Sequence, residues 1–94
     1  MSILSQSEID DNIKELDGWS TDYKNISKEY TFENFVQAIS FVLKVGFVAE
    51  KIDHHPDILL HSWNKVKIIL STHSENGVTK KDFDLAKRIK NLTK

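Results

Sequence analysis

Asn64-Lys65-Val66-Lys67-Ile68-Ile69-Leu70-Ser71-Thr72-His73 is the stretch whose reading decides the fold. Val66, Ile68 and Leu70 alternate with Lys67, Ile69 and Ser71, the period-2 pattern of a strand that buries one face and wets the other. Continuing that parity puts His73 on the side of Lys67 and Ser71, away from the Val-Ile-Leu side. Upstream, residues 58–63 read as a partner strand, with Asn64-Lys65 as the turn or, alternatively, a bulge in a continuing chain. Pro56 precedes it and forces extended geometry on His55, ending a helical region.

That helical region spans residues 31–52, with Thr31 as its candidate N-cap. One apolar stripe runs Phe32, Phe35, Ile39, Leu43 and Gly46, and a second runs Ala38, Phe41, Val45, Val48 and Ile52. Two stripes leave little polar circumference, so this helix calls for burial on more than one side. Either the terminal helices or another subunit would supply the cover. Residues 19–30 resemble a hairpin, with 22–25 as polar turn material. Before it, Ser5 and Glu8 have capping-box spacing, Ile9, Ile13 and Leu16 form a stripe, and Gly18 is a stop. After His73, residues 74–77 form a loop and Thr79-x-x-Asp82 opens a last helix carrying Phe83, Leu85, Ala86, Ile89 and Leu92. The order is α-β-β-α-β-β-α. Short connections between paired strands predict an α+β fold, a four-stranded antiparallel sheet with three helices packed on one face, formed by residues 1–94 as a single domain.

Composition narrows the chemistry. The 94 residues carry 13 Lys+Arg against 14 Asp+Glu, a net charge of −1. That balance supplies no general attraction to nucleic acid or anionic membrane. Arg88 is the only arginine, so fork-like phosphate or carboxylate clamps are scarce. The absence of cysteine removes disulfides, thiolate nucleophiles and cysteine-based zinc sites. The start, MSILSQSEIDD, has neither a basic n-region nor an apolar h-region, so no secretory signal is expected. No uncharged apolar run approaches the roughly 18–20 residues that span a bilayer. The expectation is a soluble cytoplasmic protein.

All four histidines fall within residues 54–73, and three of them, His54 and His55 in His54-His55-Pro56 and His73 at the end of the β-patterned run, form the candidate cluster. Imidazole exchanges protons at little cost near neutral pH, and a hairpin could bring these rings together. Structural readings compete with this. His54 and His55 could serve the C-terminal end of a helix, His73 could be a surface residue at a strand end, and Asp82 is explained by a capping box with Thr79. Zinc could draw on His54, His55, His73 and Asp53 or Glu50, but adjacent residues in extended chain point apart and the helical His-x-x-x-His register is missing. No metal and no cofactor are expected. No nucleophile elbow or phosphate loop is present, which leaves imidazole acid–base work as the economical chemistry.

At these residues the sequence resembles the pterin-4a-carbinolamine dehydratase family. The family pattern runs from an acidic or polar residue through three positions to His-His-Pro. Five or six residues then lead to an aromatic, nine more to a histidine, and eight or more to an aspartate. Here that is Glu50, His54-His55-Pro56, Trp63 after six residues, His73 after nine and Asp82 after eight. The likeness extends from about Trp19 to Ala86. It implies dehydration of a 4a-hydroxytetrahydropterin to a quinonoid dihydropterin, a hydro-lyase reaction that recycles the cofactor of aromatic amino acid hydroxylases. It also implies a homodimer or homotetramer. By the same resemblance His54 and His73 are the acid–base pair and His55 binds and orients the pterin. Glu50 and Asp82 are supporting carboxylates, and Pro56, Thr72, Ser74 and Trp19 line the pocket. The alternative is a non-catalytic dimerisation or binding module on the same fold.

Overall fold

The computed structural model describes residues 2–93. Its elements are α1 (Gln6–Ile13), β1 (Ser20–Thr21), β2 (Ile26–Thr31), α2 (Phe35–Ile52), β3 (Asp57–His61), β4 (Lys65–Leu70), a single 3₁₀ turn (His73–Glu75) and α3 (Lys80–Asn91). The four strands form one antiparallel sheet in the order β1-β2-β4-β3. The α+β architecture expected from the sequence is the one observed.

The parity of β4 organises the core. Val66, Ile68 and Leu70 are buried beside Ile26 and Tyr30 of β2 and against Ala38, Phe41 and Val45 of α2 and Phe83, Leu85, Ala86 and Ile89 of α3. Lys67, Ile69 and Ser71 occupy the opposite face of the sheet and are only half-buried. Both capping boxes form, Ser5 with Glu8 on α1 and Thr79 with Asp82 on α3. The first helix stops earlier than read from sequence, at Ile13 with Lys14 as its C-cap, so Leu16 and Gly18 (φ 82°) lie in the loop that leads to β1.

Besides the end of α1, two further boundaries differ from the sequence reading. The long helix is capped by Asn34, whose side chain accepts from the Gln37 N–H, and not by Thr31. Thr31 remains in β2 opposite Lys65, held by the ladder. The strand read over 58–63 ends at His61, because Ser62 and Trp63 both adopt left-handed backbone (φ 51° and 58°) and turn the chain directly into Lys65. Trp63 therefore stands at a hairpin tip, 61% exposed.

The two apolar stripes of α2 fare differently. Ala38, Phe41 and Val45 of the second are in the core, while Phe35, Ile39 and Leu43 of the first are exposed, with Val36 and Phe47 beside them. The terminal helices do not cover that face.

Tyr30 packs against Phe41 (4.7 Å between ring centroids), which in turn packs against Phe32 (5.0 Å). The Tyr30 hydroxyl is buried and makes no hydrogen bond of good geometry among the described residues. Burial pushes this phenol from 10 up to about 12, offset only slightly by the Trp19 indole.

Two expectations follow. Ile68→Ala should cost about 2–5 kcal/mol in urea unfolding through a buried cavity, whereas Ile69→Ala, one residue along on the opposite face, should cost less than half as much. In alkali the unfolded tyrosine loses its proton first, so stability present below pH 10 should decline from pH 10 toward pH 12. Tyr30→Phe should remove that part of the decline with little loss of stability near pH 7, since it deletes a buried hydroxyl that makes no well-formed hydrogen bond among the described residues.

Candidate active site

Local backbone chemistry brings His54, His55, His73 and Asp82 toward one end of the sheet, whereas Trp63 of the same motif lies at the opposite end, on the β3–β4 hairpin tip. α2 closes with Asp53 in left-handed conformation (φ 53°), the Asp53 N–H donating to Glu50 O and the His54 N–H to Ala49 O. This paired closure is a Schellman-type cap, in which aspartate is tolerated where glycine is commonest. It delivers His54-His55-Pro56 straight into β3. Because β3 and β4 are antiparallel, the start of β3 and the end of β4 coincide. Ser71-Thr72-His73 therefore leaves the sheet where the histidine pair enters it. A bridge between Thr72 and Gly77 then folds the chain back into α3, whose first turn carries Asp82.

The most deeply buried ion pair here joins His54 to Asp82. His54 Nε2 lies 2.6 Å from Asp82 Oδ1, and the two side chains are 11% and 0% exposed. The other carboxylate oxygen, Oδ2, accepts from Thr72 Oγ1 and from the Thr79 N–H, each at 2.9 Å. Every other partner of the carboxylate being a donor, the His54 hydrogen is assigned to Nε2. That assignment leaves the lone pair on Nδ1. Asp82 also sits in the first turn of α3, where the helix dipole favours negative charge.

His55 pairs with Glu50 at 2.5 Å, but these side chains are 55% and 77% exposed. His73 is exposed and lines a recess of about 310 Å³ with Lys24, Asn25, Ser71, Asn76 and Gly77. A larger hollow, about 480 Å³, lies between α2 and the end of α3, lined by Phe32, Val36, Phe41 and Leu92 among others. Neither histidine nor carboxylate lines it, and the smaller recess holds His73 but not His54, His55, Glu50 or Asp82.

The family model for pterin 4 alpha carbinolamine dehydratase matches residues 2–92. The chain belongs to this family. It is 43% identical over 89 residues to the provisionally named pterin-4-alpha-carbinolamine dehydratase of Sulfolobus acidocaldarius, covering 95% of this chain and 97% of that one. A similarly named protein of Prochlorococcus marinus is 44% identical over 92 residues, covering 98% and 96%. Among solved structures, a transcriptional coactivator/pterin dehydratase from Brucella melitensis superposes with a TM-score of 0.89 at 34% identity, covering 97% and 98%. A pterin dehydratase-like protein identified as a RuBisCO assembly factor of the alpha-carboxysome shares the fold (TM-score 0.63, 19% identity, 79% and 84% covered).

The remaining positions singled out by the resemblance to this dehydratase family are dispersed. Pro56 is half-buried at the entry to β3, and Ser74 is exposed in the 3₁₀ turn. Trp19 is a core residue, 8% exposed. Thr72 is 6% exposed, with its hydroxyl committed to Asp82 and Thr79. His61 ends β3 with Nε2 3.0 Å from Glu29 Oε1. Among the described residues, no three of the His, Asp and Glu side chains are grouped so as to hold a metal ion. Thr79 was legible only as a helix cap; its contact with Thr72 comes from a fold-back seven residues away, which spacing does not reveal.

Asp82→Ala should lower stability by about 2–4 kcal/mol in thermal or urea unfolding, since it removes a helix cap and strands buried donors. Glu50→Ala breaks only an exposed pair and should cost less than about 1 kcal/mol.

Proposed function

We propose that this protein is a 4a-carbinolamine dehydratase, acting on a 4a-hydroxytetrahydropterin by imidazole acid–base catalysis. Family membership supports the substrate class, and the buried His54–Asp82 pair is the observation that carries the mechanism. The reaction breaks the C4a–oxygen bond. The adjacent ring nitrogen supplies electron density to form the new double bond to C4a and loses its hydrogen. Water and a quinonoid dihydropterin result, with no net oxidation.

In this reading His54 takes the nitrogen's proton through Nδ1, while Asp82 compensates the charge the ring acquires. His73, whose recess is lined by no carboxylate, delivers a proton to the departing oxygen. His55, paired with Glu50 on the surface, orients the pterin. The arrival of both strand ends at one edge of the sheet supports a shared substrate site. Each imidazole is asked for a contribution of about 10²–10⁴-fold.

The exposed stripe Phe35, Val36, Ile39, Leu43 and Phe47 on α2 supports self-association into a homo-oligomer. An apolar face of this kind on a soluble chain marks an interface. A purely non-catalytic binding module on the same fold would need that face but not the histidines.

The decisive assay follows the decay of a 4a-carbinolamine generated in situ. Wild type should accelerate it, and His54→Ala and His73→Ala should each lose about 10²–10⁴-fold. Unaltered rates in both variants would defeat the assignment. In light scattering, Leu43→Glu with Phe47→Glu should reduce the wild-type assembly to smaller species; an unchanged mass would remove the α2 face from the interface.

A further inference from the structure

Three polar side chains, Thr72, Thr79 and Asp82, are buried where the end of β4 meets the start of α3, at 6%, 0% and 0% exposure. Thr72 continues the inward parity of Val66, Ile68 and Leu70. Valine has nearly the same shape, and a hydroxyl at such a site costs free energy unless it is used. Each hydroxyl is used. Thr72 Oγ1 donates its single hydrogen to Asp82 Oδ2 at 2.9 Å. In its 2.7 Å contact with Thr79 Oγ1 Thr72 must then accept, so Thr79 is the donor. Thr79 Oγ1 meanwhile accepts the Lys81 N–H at 3.3 Å. The hydrogens run in one direction, from Thr79 to Thr72 to Asp82.

Oδ2 is thereby occupied by two donors, the Thr72 hydroxyl and the Thr79 N–H. The carboxylate plane is held, and Oδ1 is left for His54 Nε2. We propose that Thr79 and Thr72 are positioning residues for His54, a hydroxyl relay that orients Asp82 so that the His54 hydrogen stays on Nε2 and Nδ1 is the reacting nitrogen. The inference rests on the reading of His54 as an acid–base group. It gives Thr79, whose visible task is to cap α3, a second task in the site. It gives the Thr72 side chain an orienting role in place of direct contact with substrate.

The test measures the His54 ring directly and not only turnover. Long-range ¹H–¹⁵N correlation spectra of uniformly labelled protein report which ring nitrogen carries the hydrogen. Thr72→Val and Thr79→Val, checked for folding by circular dichroism and melting, should convert His54 from the Nε2–H form to a mixture of tautomers. They should also lower kcat about tenfold with KM within about twofold. Thr72→Ser and Thr79→Ser should restore both. Ser5→Ala, which removes the equivalent cap on α1 far from the histidines, should leave the ring spectrum unchanged. The relay is overturned if the folded Val variants keep the wild-type tautomer, or if Ser5→Ala reproduces their effect. A ring that responds as described in a protein without dehydratase activity would sustain the relay and reject the function. Turnover with an unresponsive ring would do the reverse.

Discussion

The carboxylate of Asp82 is the point on which the structure and its candidate chemistry both hang. Its two oxygens face different problems. Oδ2 closes the capping box of α3 and receives Thr72 from the end of β4, tying the last helix to the central strand. Oδ1 receives His54 from the end of α2. Three elements distant in sequence are joined through one buried anion. Because the anion has a donor on every side, its burial is tolerated. Capping and support of an imidazole look like competing explanations of Asp82 when read from spacing, but the two oxygens allow both at once.

Around that junction the molecule divides its surfaces. The inner face of the sheet and the inner stripe of α2 form the core. The outer stripe of α2 presents Phe35, Ile39, Leu43 and Phe47 to solvent, and the opposite sheet face mixes Lys67 and Ser71 with Ile69 and the exposed Leu59. His54 and His55 lead into β3, and His73 follows β4, at the end of the sheet where β3 begins and β4 ends. The larger hollow between α2 and the end of α3 is lined by Phe32, Val36, Phe41 and Leu92 together with Gln37, Ser40, Lys44 and Thr93, and holds no histidine or carboxylate.

Much of this was legible in the sequence because its signals are local. Alternation fixes the faces of β4, the Ser5–Glu8 and Thr79–Asp82 spacings fix two helix starts, and Pro56 marks the start of extended chain. The errors arose where tertiary pairing chooses between local options. Thr31 and Asn34 can both cap a helix, and the ladder with Lys65 keeps Thr31 in the strand. Ser62-Trp63 lacks the Asn or Gly usual at left-handed turn positions, so nothing local announced that the strand stops at His61. Within the site, the motif spacing picked out His54 and Asp82. It did not reveal that Thr79 and Thr72 complete the carboxylate's partners, because that depends on the fold-back through the Thr72–Gly77 bridge.

A crystal structure with a stable dihydropterin bound would probe the central claim most directly. The account predicts the bicyclic ring at the shared end of β3 and β4, within hydrogen-bonding distance of His54 Nδ1 on one side and His73 on the other, with the His54–Asp82 contact intact. A ring bound in the larger hollow lined by Phe32, Phe41 and Leu92, or one reached by only one of the two imidazoles, would contradict it.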